Sequence, residues 1–186
     1  MSSQLFSELE RAIRSRNPVA ADGLQPGLPD LGIREALDRE RVGGDHDALV
    51  EIFSWKNGSK LSDKPLSETS LFPRSVFQFL SLEAGMEHFR GFKVVADVTR
   101  ETGPLYALLS AIAIRYFPLF WDSGHGYLVV DLQPGSSRGV MLVEFESDDP
   151  LRQAYSSMGA FLRDAIRANL QNEPLMCFPT AQHGKG

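Results

Sequence analysis

Residues Ile114 to Phe145 read IRYFPLFWDSGHGYLVVDLQPGSSRGVMLVEF, and the fold turns on how this stretch is divided. The apolar run Tyr116 to Trp121 stops at Asp122-Ser123-Gly124-His125-Gly126. There two glycines can take positive φ, and an aspartate can hydrogen-bond its own backbone. Tyr127 to Leu132 is again apolar apart from Asp131. Gln133-Pro134-Gly135-Ser136-Ser137 then turns the chain into Val140 to Glu146. In that third segment Val140, Leu142 and Glu144 face one way, and Met141, Val143 and Phe145 the other. The stretch therefore predicts three strands joined by two turns, with helices covering one side and part of the second.

Working outward, Leu5, Phe6, Leu9, Ala12 and Ile13 make one stripe of a helix from about Gln4 to Ser15, ended by Asn17-Pro18. Pro18, Gly23, Pro26, Gly27 and Pro29 make residues 18–30 read as a surface linker. Asp30 is expected to cap a helix running to about Val42. Gly43-Gly44-Asp45 leads into another, with Leu49, Ile52 and Phe53 at helical spacing and Asn57-Gly58 as its C-cap. A polar loop and a short strand, Val76 to Leu80, fill residues 59–80. Ser81 caps a helix over Leu82 to Phe89, Val94 to Val98 reads as a strand, and Leu105 to Ala113 as a short helix. Beyond the turn Asp148-Asp149-Pro150, Ser156 or Ser157 starts a last helix to about Leu170, with Met158, Phe161, Leu162, Ala165 and Ile166 apolar. The last sixteen residues read as an ordered, then frayed, tail. Together these elements predict one α+β domain over residues 1–186, a mostly antiparallel central sheet of about four to six strands with helices packed on it.

Composition narrows the function classes. The 186 residues are 42% hydrophobic, enough for one well-buried core, and the net charge of -5 argues against a nucleic-acid surface while permitting a basic protein partner. One cysteine, Cys177, rules out an internal disulfide and fits a reducing, cytoplasmic setting. The start of the chain lacks the basic and apolar regions of a signal peptide, and no apolar stretch is long enough to span a bilayer, so no membrane partner is expected.

Catalytic signatures fail on context. Gly135-Ser136-Ser137-Arg138-Gly139 matches G-x-S-x-G, yet a nucleophilic serine needs a strand-to-helix elbow and this match lies between two strands. His46, His88, His125 and His183 stand apart, without a second ligand at metal spacing, so no metal or cofactor is expected and each reads as a solvated loop or helix-surface histidine. His125, between two glycines at a hairpin tip, is the one placed to titrate near neutral pH or to touch a partner. Acidic residues gather at Glu144, Glu146, Asp148 and Asp149. Such carboxylates can serve as acid and base, as a docking rim for a basic partner, or simply as a solvated strand end. Asp122 and Asp131 sit beside turns and read as structural. Trp55 and Trp121 read as core residues first and binding anchors second.

The order of several of these pieces resembles the SUKH superfamily. Pro118, Asp122, Gly124, Gly126, Asp131, Leu132, Gly139 and Asp148 occupy the places of its central hairpin and acidic loop. Leu28-Pro29, Trp55-Lys56-Asn57-Gly58, and the closing segment with Tyr155, Ser156, Phe161 and Leu162 extend the likeness over about residues 25–170. His125 stands where that family often has a second glycine, and Val94 to Ala113 is unusually apolar. The resemblance implies a non-enzymatic protein-binding module. In bacteria its members are largely immunity proteins that bind and neutralise a toxin domain, and fungal relatives are regulatory interaction proteins. By that implication His125, Glu144, Glu146, Asp148 and Asp149 are candidate partner contacts. A scaffolding protein, or a hydrolase using the acidic cluster, stays open as an alternative.

Overall fold

The computed structural model describes residues 2–60, 63–98, 110, 115–124, 126–133, 139–144 and 150–177. Among them the chain runs α1 (Ser2–Arg16), α2 (Pro18–Gly23), β1 (Leu24–Pro26), α3 (Asp30–Arg39), α4 (Asp47–Trp55), β2 (Lys56–Ser59), α5 (Leu66–Thr69), β3 (Gln78–Phe79), α6 (Leu82–Val98), β4 (Tyr116–Trp121), β5 (Gly126–Asp131), β6 (Val140–Glu144), β7 (Leu151–Tyr155) and α7 (Met158–Gln171). The class is α+β. Strands β3 to β7 form an antiparallel sheet whose spatial order is the sequence order, while β1 and β2 pair as a separate two-stranded sheet.

Pairing of Phe117 with Val130, Leu128 with Leu142, and Tyr127 with Val143 fixes the register. Side chains alternate across a strand, so this register sorts the sheet into two sets. Phe117, Leu119, Phe120, Leu128, Val130, Val140 and Leu142 join one large cluster with Phe6, Leu9 and Ile13 of α1, Leu49 and Phe53 of α4, and Phe161 and Leu162 of α7. Tyr116, Tyr127, Val129 and Val143 join a smaller cluster with Phe92 of α6. Pro118 is accommodated because the β4–β5 register shifts between Pro118 and Phe120, a bulge where a missing N–H breaks no ladder bond. The same bulge keeps Leu119 and Phe120 in one cluster.

Several expected elements are revised. Residues 18–30 are not a bare linker: Asn17 caps α2 by accepting the Ala20 N–H at 3.1 Å, and β1 follows directly. Pro29, not Asp30, takes the cap position of α3, and Asp30 accepts the Ser54 hydroxyl at 2.6 Å. Asn57-Gly58 does not end α4; both lie in β2, where Gly58 takes φ +78° and a Cβ would meet the Ser81 backbone nitrogen. Asn57 nonetheless caps a helix, since its side-chain oxygen accepts the Leu82 N–H of α6 at 2.8 Å. Residues 63–77 hold α5 and the buried Leu71, Phe72 and Phe77, so that segment is less polar in role than in composition. Val94 to Val98 extends α6 rather than forming a strand. β-propensity reflects a fit to a pleated, half-buried surface, and Val94 here is 59% exposed on a helix already nucleated at Ser81. Residues 151–155, left unassigned by pattern, form the edge strand β7, and Ser157 caps α7 by accepting the Ala160 N–H. The expected helix over 105–113, apart from residue 110, lies outside the described residues.

Candidate functional site

Helix α6 brings its residues to the sheet through close approach. A Cβ on Gly85 would lie 2.8 Å from the Phe117 ring, so only glycine lets α6 sit this near β4. One turn on, Phe89 packs 5.8 Å from Phe117, and Phe92 meets Tyr127 edge-on at 5.1 Å. His88 falls between them. Its Nδ1 lies 2.9 Å from the Tyr127 hydroxyl and its ring 5.1 Å from Trp121. Trp121 and Tyr127 are themselves cross-strand partners at the open end of β4–β5.

Burial sets the protonation of this group. It lowers the His88 pKa from its ordinary value, with Glu87 pulling weakly the other way. Burial, helped by the Asp122 charge, pushes the Tyr127 phenol up to about 12. At neutral pH the imidazole is therefore neutral and the phenol protonated. The phenol oxygen and Nδ1 share one hydrogen bond, whose donor and acceptor are set by the imidazole tautomer. Beside the ring opens a cleft of about 520 Å³ lined by Gln25, Ser59, Lys60, Gln78, Leu80, Ser81, Ala84, His88 and Trp121. The cleft joins the two-stranded sheet to the edge of the five-stranded one, and Ser59 ties them by donating to the Phe79 carbonyl at 3.1 Å.

The acidic end of the sheet has a different character. Glu144 faces Arg152 of β7 at 3.2 Å, and the same guanidinium donates to the Cys177 carbonyl at 3.0 Å. His125, Glu146, Asp148 and Asp149 lie outside the described residues. Asp122 accepts the Gly126 N–H at 2.6 Å and so closes the β4–β5 turn. Asp131, 6% exposed, accepts two bonds from Arg115 at 2.6 and 2.9 Å and the Gln133 N–H at 3.0 Å. Burial works against its charge, yet Arg115 and the Gln133 N–H outweigh it and hold the carboxyl below the usual aspartate range. The G-x-S-x-G segment connects β5 to β6, and its residues 135–138 lie outside the described set.

A third polar group is interior. Asp164 accepts the Tyr155 hydroxyl at 2.6 Å, the Arg167 Nε–H at 2.7 Å and the Met176 N–H at 2.7 Å. Cys177 lies 3.4 Å from the Tyr155 hydroxyl, and burial pushes its thiol up to about 11. Among the described residues no group of three or more His, Cys, Asp or Glu side chains is placed to hold a metal ion.

No protein-family model matches the chain, and no curated protein matches it. His88 is thus not a solvated helix-surface residue but half-buried against two aromatic rings, and His46 is likewise engaged, its Nε2 lying 2.7 Å from the Val42 carbonyl. Reading each histidine by its distance from other ligands missed this. The usable signal was the helical spacing Gly85, His88, Phe89, Phe92, which sets His88 beside the apolar face of α6. Lys60 carried no local signal, because the β1–β2 pairing that brings it to the cleft, Leu24 with Ser59 and Pro26 with Lys56, joins segments far apart in the chain.

Proposed function

We propose that this protein is a protein-binding module of the SUKH kind, an immunity protein that binds and neutralises a cognate toxin domain. The observation that carries the reading is one of order. Leu28-Pro29 precedes α3, Trp55 ends α4 and Lys56 to Gly58 lie in β2, and the hairpin residues Pro118, Asp122, Gly126 and Asp131 fall on β4, its turn and β5. The strand after the Gly139 turn and a closing helix with Phe161 and Leu162 complete the same sequence of parts. Support also comes from how the described acids are used: Asp131 and Asp164 are held by backbone or arginine donors, and Glu144 by Arg152.

In this reading the hairpin tip with His125 and the acidic end with Glu144, Glu146, Asp148 and Asp149 supply part of the contact with a basic toxin face. Lysine substitutions at Glu146 and Asp149 then slow association, and the loss shrinks as salt shortens electrostatic reach below the ~8 Å of physiological buffer. Co-expression with a toxin-like protein encoded beside this chain, in a sensitive host, tests the function. Survival that depends on this protein supports immunity. Capture of regulatory or scaffold partners with no rescue of growth favours the interaction-protein alternative instead.

A further inference from the structure

The cleft beside His88 has a chemical bias that the acidic surface does not share. Among the described residues that line it, Lys60 alone carries a formal charge, although the chain as a whole carries 24 acidic residues against 19 basic. Among the described residues no aspartate or glutamate lines it. Glu87 lines the adjoining groove, which shares His88 with the cleft and is completed by Gly91, Phe92 and Tyr127. The polar lining is rich in donors. Gln25 and Gln78 bring amide N–H groups, His88 brings its imidazole, and Ser81 keeps its own O–H to donate while its oxygen accepts the Ala84 N–H at 3.1 Å. Leu80, Ala84 and the half-buried Trp121 give the remaining wall an apolar surface. The volume of about 520 Å³ lies within the size of sites that enclose small molecules or a single anchoring residue.

From this juxtaposition we infer that the cleft binds a monocarboxylate carried on an aromatic or aliphatic body. The carboxylate sits among Lys60, the His88 ring and the glutamine amides, and the body lies against Leu80, Ala84 and Trp121. One ammonium matches one negative charge, whereas a phosphate dianion would ask for an arginine fork or a second cation, which the described lining lacks. The same chemistry can come from a free carboxylic acid or from the C-terminal residue of a polypeptide. The inference is independent of the toxin-binding reading and stands or falls without it.

NMR titration of the full chain separates the outcomes, following the His88 ring and the Trp121 indole. The probes are phenylacetate against phenylacetamide, and a phenylalanine-terminated tripeptide as free acid against its C-terminal amide. The expected result is that the acid of at least one pair shifts both reporters and binds about tenfold more tightly than its amide. Lys60→Met abolishes that preference with an unchanged melting temperature, and Trp121→Leu weakens acid and amide alike. Binding confined to the tripeptide acid identifies a chain terminus as the source; binding of phenylacetate identifies a small metabolite. Equal binding of acid and amide, a preference that survives Lys60→Met, or no shift from any probe at millimolar concentration overturns the inference.

Discussion

On one side of the five-stranded sheet, Phe117, Leu119, Phe120, Leu128, Val130, Val140 and Leu142 are closed in by α1, α4 and α7, and all seven are almost wholly buried. On the other, Tyr116, Tyr127, Val129 and Val143, also buried, form a smaller cluster with Phe92 among the described residues, and half-buried Trp121, Met141 and Leu151 complete the patch. The first side is dry and aromatic: Phe72, Phe79, Phe120 and Phe161 touch at centroid distances of 5.0 to 5.8 Å. The second ends in two hydroxyl- or nitrogen-bearing rings, Tyr127 and His88, beside a cleft. The contrast separates two tasks that share one backbone. Stability concentrates in the larger cluster, and the half-buried Trp121 and His88 at the rim of the smaller one are the side chains open to a ligand.

Phe120→Ala tests this most severely. Phe120 packs against Phe72, Phe79 and Phe161, so its loss leaves a cavity that its neighbours cannot fill, and the expected cost is about 3–5 kcal/mol. Urea unfolding followed by far-UV circular dichroism measures it. A cost below that of any substitution on the second side would erase the contrast.

Asp164→Ala comes next. It strands the buried Tyr155 hydroxyl and the Met176 N–H, at an expected cost of roughly 1–3 kcal/mol in the same unfolding experiment.

Asp131→Asn sharpens the comparison by pH rather than by size. Because the folded state holds this carboxyl below its unfolded value of about 3.9, the unfolded chain binds the proton first as pH falls. The stabilisation is therefore fully present above pH ~4 and is lost as pH drops through the lower folded-state pKa. The difference between wild type and Asp131→Asn is expected to be constant near neutrality and to vanish in acid. A difference that grows on acidification would contradict the Arg115 pairing.

The smallest effect is expected at Tyr127→Phe, which removes the hydroxyl bonded to the half-buried His88, about 0.5–1.5 kcal/mol. A cost matching Phe120→Ala would mean that the second side is as enclosed as the first.

What could be read from the sequence, and what could not, follows the same division. The hairpin was legible because alternation, glycine turns and flanking apolar runs are all local, and β4, β5 and β6 fall within two residues of their expected bounds. The class and the antiparallel sheet followed from it. β7 was not legible: only Tyr155 of Leu151–Tyr155 is buried, so an edge strand left no alternating pattern. Val94 to Val98 misled because two adjacent valines mimic a strand while the helix continues from Ser81. At the candidate cleft, Trp121 lay in plain view on the hairpin, but Lys60 and Gln25 reach it only through the β1–β2 pairing. His88 required knowing which face of α6 Gly85 presses onto Phe117.

The Asp164 cluster has a use as a chemical clock. It pins residues 174–177 to α7 through the Met176 N–H, while Arg167 donates to the Pro174 carbonyl and Arg152 to that of Cys177. The single thiol of the chain is thereby buried, 6% exposed, and kept protonated near neutral pH. A thiol-specific reagent can attack only when this segment lifts away and the thiolate forms. The rate of labelling at Cys177 thus reads out how often the clasp opens, and comparing it with global unfolding tells whether the segment releases alone or only with the sheet it seals.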